Sequence, residues 1–133
     1  KENDLAVTGE SGMQAIVQLL STIDVNDCGA FLELEVTNEK DAIVAASTWK
    51  QRQEGDSLPP LVLMLDNFGP ERSKAMVGEL TDMGLRDAVV LEASGNIVFD
   101  DLEAWRECGV DVLSTSAINR GTTPLDVSML IDQ

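Results

Sequence analysis

Apolar positions along this chain alternate between two rhythms, one of helical period and one of short strand-like runs. After Leu5-Ala6-Val7 comes the turn Thr8-Gly9-Glu10-Ser11, with Ser11 as a candidate cap. Met13, Ile16, Val17, Leu20 and Ile23 then fall on one stripe and predict a helix over 12–23. Residues 24–29 are polar and read as a loop. Residues 30–36 predict a strand whose alternation puts Phe31, Glu33 and Glu35 on one face and Leu32, Leu34 and Val36 on the other. Thr37 or Asn38 caps a helix over 38–54, where Ala42, Ile43, Ala46 and Trp49 or Lys50 keep the period, and 55–60 break it. The unbroken run at 61–65 predicts a strand covered on both faces. Beyond Asp66-Asn67, Gly69-Pro70 opens a third helix with Met76, Leu80 and Met83 inward and Gly84 just past its end. A strand at 88–93 follows, then a helix over 99–108 with Leu102 and Trp105 inward, closed by Gly109. A strand at 110–114 and an apolar closing segment at 125–131 complete the pattern.

Helices alternating with strands through short connections predict an α/β fold of parallel βαβ units. Four or five such strands fit either a small open sheet or part of a (β/α)8 barrel. The 133 residues suffice for one domain with a single core.

Charge narrows the partners. Nine basic against 24 acidic residues give a net charge of −15, with no histidine. Such a chain repels nucleic acid and anionic membranes, since both are held by clustered Lys and Arg. An anionic ligand needs local donors or a cation to reverse that field. No apolar run approaches the roughly 20 residues that span a bilayer. Cys28 and Cys108 lack metal-ligand spacing and read as reduced thiols of a cytoplasmic protein; with no histidine and no CxxC, a structural zinc site is not expected. The opening Lys-Glu-Asn-Asp is not a signal peptide, and we take it as a cut end.

Candidate chemistry collects at the C-terminal ends of the strands. Glu33, Glu35, Asp66 and Glu92 would all point to one face, an arrangement too costly for bare buried charges and one that calls for cations. Glu33 and Glu92 are equally open to a purely structural reading as internal ion pairs. Glu35 and Asp66, at strand ends, suit a ligand better. Ser94-Gly95-Asn96 and Ser114-Thr115-Ser116 end consecutive strands and offer turns whose backbone amides can meet an anion, as in the phosphate sites of barrels. Each turn alone is also an ordinary strand-to-helix connection. A phosphorylated, metal-bound substrate would reconcile such turns with the acids beside them.

Five segments in register carry a family resemblance: Lys1-Glu2-Asn3, Glu33-Leu34-Glu35-Val36, Met64-Leu65-Asp66-Asn67, Leu91-Glu92-Ala93-Ser94-Gly95 and Gly109-Val110-Asp111-Val112-Leu113-Ser114. With the tail Pro124-Leu125-Asp126-Val127-Ser128, they resemble the C-terminal barrel of nicotinate-nucleotide pyrophosphorylase (carboxylating), or quinolinate phosphoribosyltransferase. The resemblance implies residues 1–133 as the C-terminal portion of an α/β barrel catalytic domain, its N-terminal sandwich and first strands lying outside this chain. It implies transfer from phosphoribosyl pyrophosphate to quinolinate, with Mg²⁺, giving nicotinate mononucleotide, pyrophosphate and CO₂ in a cytoplasmic homodimer or higher homo-oligomer. By the same resemblance Lys1 contacts substrate, Glu35 and Asp66 hold the ribose hydroxyls and the metal-bound diphosphate, and Ser94, Gly95, Asn96 and Ser116 form the 5′-phosphate loops.

The chain also departs from that family's pattern. Asp4 stands where the family has His, and Asn96 and Ser116 where it has Gly, so either could crowd a phosphate or add a donor. The family's quinolinate-binding arginines lie upstream of Lys1, so the isolated segment is expected to have little or no activity. Two alternatives stand beside this reading: the molybdate-transport-associated paralogue of the same fold, and a non-catalytic phosphate-binding or assembly module.

Overall fold

The computed structural model describes residues 12–28 and 30–120. The expected features at Lys1, Ser11 and 125–131 lie outside them. The described elements are α1 (Met13–Thr22), a 3₁₀ turn (Val25–Asp27), β1 (Glu33–Val36), α2 (Glu39–Gly55), β2 (Leu61–Asp66), α3 (Gly69–Asp82), a 3₁₀ turn (Arg86–Ala88) and β3 (Val89–Ser94). A 3₁₀ turn (Phe99–Asp101), α4 (Leu102–Trp105), β4 (Val112–Ser114) and α5 (Ala117–Arg120) follow.

All strand pairs are parallel, and the strand order is sequential, β1-β2-β3-β4. A doubly wound sheet reverses its order at a switch point and carries helices on both faces. Here the order does not reverse, and α1, α2 and α3 bury their apolar stripes in one core with Leu34, Val36, Leu61, Leu63, Leu65, Val89 and Leu91. One-sided helices over a sequential parallel sheet are the arrangement of a barrel arc. The opposite sheet face, with Glu35, Val62, Met64, Asp66, Val90, Glu92 and Ser94, is half-buried. Among the described residues no helix is long and apolar enough to cross a membrane.

Local chemistry explains most element ends. The Asn38 side chain accepts from the amide of Asp41 at 3.0 Å and caps α2. Ala42, Ala45, Ala46 and Trp49 give α2 a narrow buried stripe, with the Trp49 ring nitrogen donating to the carbonyl of Pro59 at 2.8 Å. Helix α3 ends in a Schellman turn: the amides of Gly84 and Leu85 reach back to the carbonyls of Thr81 and Leu80, at 3.0 and 2.8 Å. Gly84, at φ +68, supplies the left-handed residue that turn requires.

Four expectations are corrected. On α1 the N-cap position is Gly12, and the buried residues are Ala15, Ile16 and Leu20, while Met13 and Val17 are exposed. The helix packs on α2 rather than squarely on the sheet, so a narrower stripe is covered. Met83 is the exposed C-cap of α3, turned out by the same Schellman geometry. The helix expected over 99–108 shrinks to a 3₁₀ turn and one α-turn. Because i and i+3 eclipse in a 3₁₀ turn, Phe99 and Leu102 share the solvent side, leaving Ile97, Trp105 and Cys108 to pack on Ala93. The strand expected at 110–114 begins at Val112, because the Asp111 carboxylate takes the Leu91 amide at 2.7 Å in place of a strand carbonyl. That carboxylate also receives Arg86, whose guanidinium holds the carbonyls of Val89 and Gly109. Cys28 is half-buried and Cys108 buried, both as free thiols.

Candidate functional site

Strand register sets out the chemistry in rows. At the C-terminal rim Asp66 pairs with Ser94, and Ser94 with Ser114, so three polar residues stand side by side on β2, β3 and β4. Adjacent strands lie about 4.8 Å apart, which makes this row roughly 10 Å wide. One layer below, Glu35 pairs with Met64, Met64 with Glu92, and Glu92 with Val112. The two rows are joined where the Ser114 hydroxyl donates to Glu92 Oε1. Among the described residues this hydroxyl is the hydrogen-bond partner of Glu92. The described ion pairs lie elsewhere, at Arg72–Glu39, Arg86–Asp111 and Arg106–Glu103.

Beyond the rim the chain turns sharply at two places. Asn67 adopts φ +58 directly after β2, and Gly95 and Asn96 adopt φ +95 and +54 directly after β3. Asparagine tolerates this left-handed backbone better than most side chains, and glycine best. The two turns are fastened together: the Asn67 amide donates to the Ser94 carbonyl at 2.9 Å, and Asn96 Nδ2 donates to Asn67 Oδ1 at 2.9 Å. They are also in close contact, since a Cβ at position 95 would lie 2.3 Å from Asn67 Oδ1 and 2.9 Å from the Asn67 backbone nitrogen. The β4–α5 turn is stitched to the same loop, because the Thr115 hydroxyl donates to the carbonyl of Ile97 while accepting from the Ala117 amide.

These turns enclose a cleft of about 810 Å³ lined by Asn67, 94–98, 114–117 and Asn119. None of these lining residues carries a charged side chain, in a chain of net charge −15. Among the described residues, hydroxyls, carboxamides and exposed turn backbone give it neutral donors without a carboxylate at the wall. That composition suits an anion held by dipoles.

The residues of both turns singled out from the sequence meet in this cleft: Ser94, Gly95 and Asn96 with Ser114, Thr115 and Ser116. The carboxamide of Asn96 is turned into the bond with Asn67, which gives that departure from the family pattern a place in the structure. Asp66 stands at the edge of the cleft, its Oδ2 accepting from Asn67 Nδ2 at 2.8 Å. Glu35 is half-buried on β1, two strands from Ser94 and one layer lower, away from the cleft wall. Lys1 lies outside the described residues. Asn67 and Asn119 were not singled out for the site; a polar residue able to take left-handed backbone just after a strand-end acid is the signal that could have marked Asn67. Among the described residues no group of three or more carboxylates or cysteines could hold a metal by itself. Mg²⁺ does not require such a cage, because it commonly binds through one or two carboxylates, waters and substrate phosphates. Asp66, a half-buried carboxylate at the rim, fits that mode.

Comparison with known proteins bears on the family and the fold. Residues 1–130 match the family model described as quinolinate phosphoribosyl transferase, C-terminal domain. A protein of Methanothermobacter thermautotrophicus, named probable nicotinate-nucleotide pyrophosphorylase (carboxylating), is 35% identical over 100 residues, covering 75% of this chain and 32% of the relative. The protein of the same name from Archaeoglobus fulgidus is 34% identical over 102 residues, covering 77% of this chain and 36% of the relative. The solved nicotinate-nucleotide pyrophosphorylase of Francisella tularensis superposes with a TM-score of 0.60 at 26% identity, over 88% of this chain and 35% of that one. The chain thus spans about a third of the length of the curated relatives it matches.

Proposed function

The chain belongs to the quinolinate phosphoribosyl transferase C-terminal domain family, and from that premise we propose that it supplies the phosphoribosyl half of a carboxylating nicotinate-nucleotide pyrophosphorylase site. In that reaction the ring nitrogen of quinolinate bonds to C1 of phosphoribosyl pyrophosphate as the C1–O bond to diphosphate breaks. The ring's 2-carboxylate leaves as CO₂, and a proton takes its place. The products are nicotinate mononucleotide, pyrophosphate and CO₂.

The neutral polar cleft carries the proposal. Ser94, Gly95, Asn96 and Ser116 bind the 5′-phosphate through hydroxyls and turn amides, which lets an acidic chain take a phosphate on neutral donors. Asp66 and Glu35 serve the ribose hydroxyls and the diphosphate, and Lys1 has the substrate-contacting role that the family resemblance implies. Bound Mg²⁺ would neutralise the diphosphate as it leaves, with Asp66 as its protein ligand and Glu35 nearby. The working protein is a cytoplasmic homodimer or higher homo-oligomer.

The test is calorimetric titration of the chain with nicotinate mononucleotide and, in parallel, with nicotinate riboside, which lacks only the phosphate. The mononucleotide should bind at least about tenfold more tightly, a difference of roughly 1.4 kcal/mol. Amide resonances of 94–98 and 114–117 should move with it. Equal binding of the two compounds would overturn the proposal.

A further inference from the structure

Asn67 is the residue through which the two sides of the cleft meet. Its backbone holds φ +58, and its amide donates to the Ser94 carbonyl at 2.9 Å. Its Nδ2 donates to Asp66 Oδ2 at 2.8 Å, and its Oδ1 accepts from Asn96 Nδ2 at 2.9 Å. An ionised carboxylate can only accept, so the carboxamide has one usable orientation, nitrogen toward Asp66 and oxygen toward Asn96. Gly95 leaves the space that this side chain fills, because a Cβ there would overlap Asn67 Oδ1 at 2.3 Å. One side chain and its own amide therefore bind the acid on β2 to the turn after β3.

Given the phosphoribosyl role proposed above, on which this depends, we infer that Asn67 is a positioning residue that locks the phosphate-binding turn at 94–96 to the carboxylate of Asp66. A phosphoribosyl ligand carries anionic groups on either side of its ribose. A protein that holds both must keep the turn and the acid at a constant span. Asn67 does so without contact to the reacting atoms. Its Oδ1 keeps Asn96 from swinging into the cleft, and its Nδ2 keeps Asp66 from turning away from the rim. Donors fixed before the ligand arrives need no reorganisation when it binds.

Asparagine suits all of these demands. Glycine would keep the left-handed backbone and lose both side-chain bonds. Aspartate would keep the shape and the acceptor for Asn96, but would set a second carboxylate against Asp66. Asn67→Gly, Asn96→Gly and Asn67→Asp therefore separate the two arms of the link.

The experiment combines nicotinate mononucleotide titration with amide hydrogen exchange on the whole chain. Asn67→Gly and Asn96→Gly should each weaken the mononucleotide about tenfold, the size of one or two hydrogen bonds. The double variant should be no weaker than the poorer single one by more than about twofold, because both remove the same link. Exchange at 94–98 should quicken in Asn67→Gly and stay near the parental rate in Asn67→Asp, which retains the acceptor. Parental affinity in Asn67→Gly, fully additive losses in the double variant, or quickened exchange in a folded Asn67→Asp would each overturn the inference alone. Failure of the parent chain to prefer mononucleotide over riboside would overturn the proposed function and this inference with it.

Discussion

Gly84 and Gly95 hold left-handed backbone of similar φ, +68 and +95, yet they answer to different neighbours. A Cβ at position 84 meets open space, so Gly84→Ala should cost only the backbone preference, about 1–2 kcal/mol. At position 95 the same methyl would also drive into Asn67, and Gly95→Ala should cost about 1–3 kcal/mol more. Urea midpoints of the two variants measure the difference directly. From the sequence, a side chain at 95 is expected to push the phosphate away while leaving the fold largely intact. The structure puts Asn67 in that space first, so turn and ligand site fail together. Ser116 lines the cleft with its carbonyl accepting from the Asn119 amide and no side-chain hydrogen bond among the described residues, and Ser116→Ala should weaken mononucleotide binding by about 1 kcal/mol in calorimetry, with the melting temperature unchanged. The turn residues were legible because two hydroxyl-bearing turns end consecutive strands beside strand-end acids, although each alone is an ordinary strand-to-helix connection. Asn67 was not, because its role depends on a partner 29 positions away.

Among the described elements, α2 joins α1 to the sheet. Near its end Arg52 donates to the carbonyls of Leu20 and Ile23, at 2.8 and 2.6 Å, satisfying acceptors left open at the end of α1. Arg52→Ala should destabilise the fold by about 2–3 kcal/mol, seen as a lower urea midpoint. Arg52→Lys should restore only part of it, since a single ammonium lacks the fork. At the other end, hydrogen bonding from Arg72, aided by its own backbone amide, holds the Glu39 carboxyl below its ordinary value of 4.5. A depressed folded value gives stability that is present above the unfolded one and is lost as pH falls through the folded one. Glu39→Gln should therefore flatten the acid limb of the stability curve below about pH 4.5 and change little at pH 7. The effect should be small, because both side chains are nearly half exposed. Element type was legible wherever an apolar run or stripe was long, as at β2, α2 and α3. Boundaries slipped where a side chain replaced a backbone partner, as Asp111 does at the head of β4, and where 3₁₀ geometry rotated the stripe at 99–102.

On the scale of the molecule, a net charge of −15 must repel itself in the compact state. Raising NaCl from about 0.05 to 1 M shortens the Debye length to about 3 Å, and the melting temperature should rise accordingly in a calorimetric scan. A flat response would mean that the described ion pairs and solvation already balance the excess. The alternation of helix and strand made the parallel α/β class legible. The choice between open sheet and barrel arc was legible only through the family resemblance, because it rests on which face the helices cover, and periodicity of a strand buried on both sides does not reveal it. Strand order carries a further consequence, for synthesis. Each strand lies beside the one made just before it. A nascent chain leaving the ribosome thus finds its next template already assembled, one β/α unit away. Among the described strands none has to wait for a distant partner, as the middle strands of a doubly wound sheet must. The sheet can be laid down in the order in which it is translated, with α1 and α2 closing over the first pair while the phosphate turns are still being made.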